Sequence, residues 1–218
     1  MQGRFITLEG GEGAGKTSSV AFIVDYLRSQ SIDTLATREP GGTEVSEAIR
    51  AVLLDKSLPS MHADTELLLM FAARQEHLVR KILPALAAGQ WVVCDRFTDA
   101  TYAYQGYGRA QALERIQQLE AWVQGTFHPH LTLLFDIDVE LGFQRVRTRY
   151  AAQQTQADRF EQEHISFFER VRRGYLVRAA HYPDQFRVVD ASQSLERVQH
   201  DIKQYLMEFI QQAKAQHV

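Results

Sequence analysis

The amino-acid sequence predicts an α/β sandwich of three layers, in which helices cover both faces of a central parallel sheet. Short apolar runs alternate along the chain with longer segments that have the apolar spacing of amphipathic helices. Strands that alternate with helices form βαβ units, which build parallel sheets buried on both faces. Glu9, Asp95 and Asp136 each end one of these runs and are followed by loop residues. Ligands of such sheets bind at the carboxyl ends of the strands, so we expect the functional site at this edge.

Five segments are predicted to be strands because they are short, apolar and bounded by turn residues: residues 4–9, 33–37, 91–95, 131–136 and 186–190. Seven longer segments carry apolar residues at spacings of three and four and are predicted to be helices: residues 16–30, 43–54, 64–88, 111–124, 139–149, 162–181 and 195–216. The glutamine-rich stretch 151–157 interrupts the helical period between two of these helices. We therefore predict a mobile loop there.

Composition and charge are typical of one globular domain over residues 1–218. The chain has 45% hydrophobic and 23% charged residues, which is ordinary for a globular protein of this length. Its net charge is −3, so we expect no binding to nucleic acid or to an anionic membrane. Cys94 is the single cysteine, which excludes an internal disulfide, and no apolar run approaches the roughly 18 residues that span a bilayer. The first strand begins too early to leave room for a signal peptide, and we predict a cytoplasmic protein.

A glycine-rich segment connects the first predicted strand to the first helix. Residues 10–17 read GGEGAGKT and match the pattern G-x-x-x-x-G-K-[ST]. Such a loop turns several backbone N–H groups toward one anion, and the following helix directs the positive end of its dipole at the same anion. Lys16 is predicted to reach the β- and γ-phosphates of ATP, and the hydroxyl of Thr17 to bind Mg²⁺. The pattern predicts a P-loop NTPase-like fold in which ATP is bound by Gly10, Gly11, Glu12, Gly13, Ala14 and Gly15.

Two further motifs indicate a second phosphate site beside this loop. The third strand ends in Asp95-Arg96, a pair that suits a place where Mg²⁺ and another phosphate meet, and that is equally compatible with an ion pair at a strand end. The second strand is followed by REPGGT at residues 38–43, where Arg38 is either a hydrogen-bond donor to an acceptor phosphate or part of a simple turn. The chain contains no asparagine, which argues against the Asn-Lys-x-Asp element that binds guanine in GTPases.

Together the motifs resemble those of the bacterial-type thymidylate kinase family, and the resemblance runs nearly from end to end. It rests on the glycine loop with its acidic Glu12, REPGGT (38–43), FAAR (71–74), Asp95-Arg96, TYAYQG (101–106) and DRFE (158–161). The resemblance implies a sheet of order 2-3-1-4-5 and transfer of the ATP γ-phosphoryl group to dTMP, giving dTDP and ADP for dTTP biosynthesis. It also implies Mg²⁺ as the cofactor and a homodimer, for which the long helix 64–88 offers an interface.

The resemblance assigns several residues to the dTMP site. Phe71 would stack on thymine, although packing in the core is the alternative for such a ring, and Arg74 would bind the base from the same helix face. Glu12 would accept a hydrogen bond from the 3′-hydroxyl group of the sugar. The base and deoxyribose would be surrounded by Thr101, Tyr104 and Gln105, with the tyrosine excluding a ribose by crowding its 2′ position.

The resemblance also places charged side chains around the phosphates. It assigns the dTMP phosphate to Arg38 and Arg96, and the Mg²⁺ shell to Asp95, assisted by Glu9. It implies a mobile lid at about residues 146–159, in which Arg149 and Arg159 would close over the phosphates and Arg145 would lie nearer the adenine. Closure would exclude water, which competes with the acceptor phosphate as a nucleophile.

Two positions depart from the family pattern, and two other functions stay open. Phe97 stands where tyrosine or histidine is usual, and Tyr107 stands where several relatives have glycine; neither is expected to abolish activity. One alternative is a kinase for another nucleoside monophosphate or for a deoxynucleoside, which would require a different base pocket. The other is a non-catalytic nucleotide-binding regulator, which is disfavoured because both phosphate sites keep their arginines.

Overall fold

A five-stranded parallel sheet of order β2-β3-β1-β4-β5 forms the centre of the molecule. The structure is a computed structural model that describes residues 2–153, 160 and 163–215. Its strands are β1 (Phe5–Gly10), β2 (Thr34–Arg38), β3 (Trp91–Asp95), β4 (Leu131–Asp136) and β5 (Phe186–Asp190). The expected order is confirmed, and every strand begins and ends within one residue of its predicted bounds.

Helices occupy the seven segments where apolar spacing predicts them and one further stretch, residues 98–108. They are α1 (Lys16–Ser29), α2 (Glu44–Leu54), α3 (Ala63–His77), α4 (Leu83–Ala87), α5 (Thr98–Thr101), α6 (Leu113–Gln124), α7 (Val139–Gln153), α8 (Ile165–His181) and α9 (Leu195–Ala215), with π-helical segments at Leu78–Ile82 and Tyr102–Gly108. The predicted helix 64–88 is a continuous run of α3, the first π-helical segment and α4. Over the described residues, no helix combines the length and apolar character needed to cross a membrane.

The segment between β3 and α6 contains helical structure that apolar spacing does not predict. In α5 and the π-helical segment Tyr102–Gly108 nearly every residue is buried, so no polar face marks a helical period. The π-helical segment packs against α8 so closely that a Cβ atom at Gly108 would lie 2.6 Å from the ring of Phe167. Contact with another helix, and not a local pattern, therefore determines this conformation.

The register of the sheet brings distant motifs to one edge. Arg38 at the end of β2 lies opposite Asp95 in β3, and Asp95 lies opposite Leu8 in β1. Gly10 ends β1 at the same edge and leads directly into the glycine loop, residues 10–17. The three motifs thus meet at the carboxyl ends of the central strands, where ligands of parallel sheets bind.

The two faces of β1 belong to different parts of the core. Ile6 and Leu8 pack in the cluster formed with α1 and α9, whereas Phe5 packs in the cluster that contains Ile82 and Phe97. Alternate side chains of a strand point to opposite faces, so both faces of the sheet are covered by helices. The glycine loop therefore begins on a strand that is fixed from both sides.

Tyr107, one of the two positions that depart from the family pattern, packs directly on α8. A Cβ atom at Gly174 would lie 2.8 Å from Cδ2 and 2.9 Å from Cβ of Tyr107. The second of these atoms cannot move without the backbone, so a larger residue at position 174 would clash. The missing side chain of Gly174 thus provides the space that Tyr107 occupies.

Replacing Gly174 by alanine is expected to destabilise the protein. A glycine-to-alanine change inside a helix normally stabilises by about 0.5–1 kcal/mol, but overpacking against Tyr107 should instead cost about 1–3 kcal/mol. Denaturant unfolding of Gly174→Ala measures the difference. The control is the same substitution in a Tyr107→Gly background, where the clash is absent: there, Gly174→Ala should lower the free energy of unfolding much less. A Gly174→Ala variant as stable as the parent chain would contradict the packing argument.

Candidate active site

A cavity of about 710 Å³ opens at the carboxyl edge of the sheet, a size that is typical of sites for small ligands and cofactors. The predicted site residues that line it are Glu12, Gly13, Ala14, Gly15, Lys16, Thr17, Arg38, Arg74, Asp95, Arg96, Thr101, Tyr104, Gln105, Arg145 and Arg149. Four others do not line it: Glu9, Gly10, Gly11 and Phe71. Arg159 lies outside the described residues, as do most of the residues of the predicted lid loop. One cavity thus brings together residues from all the motifs.

The glycine loop takes a conformation that its glycines make possible. Gly13 and Gly15 have φ angles of 71° and 84°, and a Cβ atom on Gly13 would lie 2.1 Å from the carbonyl oxygen of Gly142 in α7. Lys16 Nζ donates to the carbonyl oxygens of Gly10 and Gly11 at 2.9 and 2.8 Å. Burial and the nearby Arg96 guanidinium lower the pKa of Lys16 to about 8. A phosphate group at the loop would favour the charged form of this amine.

Glu12 is a carboxylate inside this loop, surrounded by donors. Its Oε1 accepts from Arg96 Nη2 and from the Tyr104 hydroxyl, both at 2.7 Å. Burial opposes ionisation, but the charges of Arg96 and Lys16 outweigh it, and the pKa of Glu12 lies below its usual range. The negative charge that would repel ATP is therefore balanced by cations on both sides.

Arg96 is held in a strained backbone conformation at the centre of the site. Its φ angle is 69°, in the left-handed region that costs a residue other than glycine about 1 kcal/mol or more. Its Nη1 donates to the Gly10 carbonyl oxygen and the Tyr175 hydroxyl, both at 3.0 Å, and its guanidinium lies 4.9 Å from the centre of the Tyr104 ring. The side chain is thus fixed by three elements, β1, α8 and the π-helical segment.

Glu9 supports this arrangement from behind and is not part of the cavity. Its Oε1 accepts from the Phe97 N–H at 2.7 Å, and its Oε2 accepts from the Tyr175 hydroxyl at 2.9 Å. Burial, together with the neighbouring Asp99 carboxylate, raises the pKa of Glu9 to about 8. Both oxygens accept from protein donors and Glu9 does not line the cavity, so its contact with Mg²⁺ stays a prediction. Phe97 contributes its backbone N–H here, so its lack of a polar side chain does not affect this contact.

Thr17 and Asp95 form the donor set that is available to a metal ion. Asp95 Oδ1 is buried and has no hydrogen-bond partner among the described residues, and Thr17 lies at the start of α1, facing the same cavity. Within the described part of the chain, no three His, Cys, Asp or Glu side chains are grouped to hold a metal by themselves. Mg²⁺ usually takes one or two protein ligands and completes its shell with phosphate oxygens and water. A hydroxyl and a carboxylate at the glycine loop fit that requirement.

Arg74 is a buried arginine of α3 that lines the same cavity. Its Nε donates to Glu39 Oε2 at 2.8 Å, and its Nη2 donates to Thr101 Oγ1 at 3.0 Å. Its Nη1 has no hydrogen-bond partner among the described residues. A buried donor without a partner costs about 1–3 kcal/mol, so a ligand carbonyl group beside it would be strongly favoured.

Met70, and not Phe71, lines the cavity next to this arginine. Phe71 is 2% exposed and packs in a cluster with Leu67, Tyr102 and Ile116. The guanidinium of Arg74 lies 4.9 Å from the centre of the Phe71 ring, so the two side chains do share a helix face. The Phe71 ring itself is turned toward the core, which is the alternative that the sequence left open for it. Of the two neighbouring residues, only Met70 is in a position to contact a ligand in the cavity.

Glu39 is a support that sequence reasoning did not identify. Besides pairing with Arg74, its Oε1 lies 3.0 Å from Nδ1 of His77, whose Nε2 lies 2.7 Å from the Thr37 hydroxyl. Glu39 belongs to the REPGGT motif, so the only signal for it was a glutamate beside the arginine of a phosphate-binding turn. The other lining residues that were not predicted are Ser18, Pro40, Arg50, Leu54, Met70, Phe97, Ala100 and Phe160.

The remaining arginines surround the mouth of the cavity. Arg38 is half exposed, and its Nη2 contacts both carboxylate oxygens of Glu47 at 2.9 and 3.1 Å. Exposed pairs of this kind contribute little stability, so Arg38 can move to a phosphate at small cost. Arg145 Nη1 donates to the Ala191 carbonyl oxygen at 2.7 Å, and Arg149 is exposed at the cavity. Arg145 and Arg149, which are predicted to lie near the adenine and the phosphates of ATP, thus reach the cavity from α7.

Comparisons with known proteins agree with this geometry. The family model described as thymidylate kinase matches residues 8–202. The chain is 53% identical over 210 residues to a thymidylate kinase of Teredinibacter turnerae, covering 96% of this chain and 100% of that protein. It is 56% identical to a thymidylate kinase of Ectopseudomonas mendocina, covering 93% and 94% of the two chains. The crystal structure of thymidylate kinase from Ehrlichia chaffeensis superposes with a TM-score of 0.75 at 31% identity, covering 94% of this chain and 99% of that one.

Proposed function

The chain belongs to the thymidylate kinase family and phosphorylates dTMP, and we propose that the cavity transfers the γ-phosphoryl group of ATP to the dTMP phosphate, giving dTDP and ADP. The observation that carries this assignment of the site is the unpartnered Nη1 of Arg74, in the same cavity as the glycine loop. A triphosphate at the loop and a base at Arg74 would place two substrates in one space of about 710 Å³. The acceptor phosphate would then lie between them.

The base end has the hydrogen-bonding character that thymine requires. Thymine presents an acceptor at O4 and a donor at N3–H, whereas cytosine presents a donor and an acceptor at the same two places. Arg74 Nη1 offers the donor, and the side-chain oxygen of Gln105 offers the acceptor, because its Nε2 already donates to Glu66 at 2.8 Å. Met70 would lie against the base, and Tyr104 would crowd the 2′ position of the sugar.

The phosphate end supplies positive charge at fixed positions. Lys16 would bind the β- and γ-phosphates, and Arg96 and Arg38 would hold the dTMP phosphate in line with them. Mg²⁺, held by Thr17 and Asp95, would neutralise charge on the phosphate oxygens when bound. The dTMP phosphate is largely ionised at neutral pH, with a second pKa near 6, so no general base is required. Catalysis would rest on positioning and electrostatic stabilisation.

Several properties complete the proposal. Glu12 would accept from the sugar 3′-hydroxyl, and the lid of about residues 146–159 would close Arg149 and Arg159 over the phosphates, with Arg145 toward the adenine. The chain would act as a single cytoplasmic domain over residues 1–218. It would form a homodimer through the apolar residues exposed along α3 and the helical run after it, Leu68, Val79 and Leu83.

A coupled assay of ADP release tests the proposal. With ATP and Mg²⁺ constant, dTMP, dUMP, CMP, GMP and AMP are compared as acceptors. We expect dTMP to be used at least about 100-fold more efficiently than CMP, GMP or AMP, because those bases leave Arg74 or Gln105 unpaired. Turnover with another nucleotide and not with dTMP would favour a different monophosphate kinase. ATP binding without any acceptor-dependent ADP release would favour a regulator.

A further inference from the structure

Glu66 is a fully buried carboxylate of α3 that lies behind the cavity. Its Oε1 accepts from Gln105 Nε2 at 2.8 Å and from Arg109 Nε at 2.7 Å. Glu66 and Arg109 do not line the cavity, whereas Gln105 does. Glu66 therefore contacts the lining of the cavity through the amide of Gln105, and Arg109 also contacts the ring of Phe160, another lining residue.

Arg109 is itself fixed on two further sides. Its Nη1 pairs with Glu163 Oε1 at 2.9 Å, and its guanidinium lies 5.7 and 5.4 Å from the ring centres of Phe160 and Phe167. It thus joins Glu66 to the segment that leads into α8. An arginine has only donors, so it can pair with Glu66 solely as a carboxylate and gives Gln105 no alternative acceptor.

A glutamine amide that is free to rotate does not distinguish thymine from cytosine. Rotation of the amide by half a turn exchanges its oxygen and its NH₂ group, so the same side chain can present an acceptor or a donor. A carboxylate paired with a guanidinium accepts hydrogen bonds and donates none. Next to Glu66, Gln105 must therefore turn its NH₂ group inward and its oxygen toward the cavity.

We propose that Glu66, held by Arg109, is a positioning residue that fixes the amide orientation of Gln105 and thereby selects bases with an N3–H donor over 4-amino pyrimidines. The inference rests on the proposed function and deepens it. Arg74 donates to the exocyclic O4 of the base, and Gln105, oriented by Glu66, accepts from the adjacent N3–H. Without the carboxylate, only Arg74 would discriminate.

The isosteric variant Glu66→Gln tests this role. Its new amide can either donate or accept, so Gln105 becomes free to present either group. The probe is 5-methyl-dCMP, which differs from dTMP only at the base edge that Arg74 and Gln105 face. We expect kcat/KM for dTMP to fall about 10-fold, mainly through KM, and the preference for dTMP over 5-methyl-dCMP to narrow by about 30-fold or more. The KM for ATP should change less than about 2-fold, since the glycine loop is untouched.

Two further variants separate positioning from general structural support. Glu163→Gln removes the other carboxylate from the same Arg109 without touching Gln105, so the nucleotide preference should stay within about 2-fold of the parent chain. In a Gln105→Ala background, Glu66→Gln should have no further effect on the preference, because the group that it positions is gone. Melting temperatures of all variants show how much stability each change removes.

Two results would overturn the inference. One is an equal loss of kcat/KM for dTMP and 5-methyl-dCMP in Glu66→Gln. The other is a change in the preference for dTMP over 5-methyl-dCMP when Glu66→Gln is introduced into the Gln105→Ala variant. Both results concern variants only, and the parent chain would still phosphorylate dTMP. Failure of the proposed function would instead appear as an absence of dTMP-dependent ADP release by the parent chain.

Discussion

Replacement of Lys16 by alanine is expected to lower kcat by about 10²- to 10³-fold while the fold remains intact. In phosphoryl transfer, charge is spread over the transferred oxygens, and a cation fixed beside them stabilises the transition state more than the ground state. Lys16 already lies in the glycine loop with Nζ 2.8–2.9 Å from two loop carbonyl oxygens. Its removal therefore takes away a preorganised charge that water cannot replace at the same position.

Saturating both substrates separates this effect from weaker binding, and Lys81→Ala is the matched control. Lys81 Nζ donates to the Gly42 carbonyl oxygen at 2.9 Å, so it also binds a glycine turn, but it does not line the cavity. We expect the control to retain kcat within about 3-fold. Near-normal turnover in Lys16→Ala, with a melting temperature like that of the parent chain, would refute the assignment of the glycine loop.

The architecture could be predicted from the sequence because the strands and helices of a parallel sheet have distinct hydrophobic patterns. Its strands are buried on both faces and appear as short apolar runs, and its helices bury one face and show a period of three to four. Tyr102–Gly108 was not predicted as helical, because it is buried on nearly all sides and its conformation depends on contact with α8. Local patterns carry no information about such contacts.

Motifs located the site, but they could not decide which face of an element each side chain takes. FAAR predicted that Phe71 faces a ligand, yet this ring is turned to the core, and Met70 lines the cavity. One residue along a helix rotates the side chain by about 100°, and both positions are apolar, so the pattern could not distinguish them. Gln105, in the TYAYQG motif, does line the cavity.

The buried carboxylates show a second limit. Glu9, Glu39 and Glu66 each hold a group that lines the cavity or supports it, and their partners lie far away along the chain. Glu9 accepts from Tyr175, 166 residues later, and Glu39 from Arg74, 35 residues later. A glutamate in a single sequence carries no sign of such a partner, so only the fold reveals which acidic residues act as supports.

Loss of Arg74 should affect dTMP far more than ATP. We expect Arg74→Ala to raise the KM for dTMP by about 10- to 100-fold, because one or two charge-assisted hydrogen bonds to the base are lost. The KM for ATP should change less than about 2-fold. Nη1 is the one guanidinium nitrogen of this side chain that has no partner among the described residues, and Arg74 lines the cavity. Steady-state kinetics with each substrate varied in turn measures the two constants.

A conservative variant distinguishes loss of the base contact from loss of stability. Arg74→Ala leaves Glu39 buried without its guanidinium, which should itself cost about 3–5 kcal/mol. Arg74→Lys keeps a cation beside Glu39 but lacks the planar fork that reaches both Glu39 and the base, so it should raise the KM for dTMP with a smaller loss of stability.

Arg178→Lys is the matched control for this change. Arg178 pairs through Nε with the buried Asp99 at 2.7 Å and lies 4.0 Å from the ring centre of Tyr102, but it does not line the cavity. The control should lower stability and leave both KM values within about 2-fold, because the change removes no group from the base site. If Arg74→Lys raised the KM for ATP and the KM for dTMP by the same factor, its effect would be structural, and the free Nη1 of Arg74 would not be the group that reads the base.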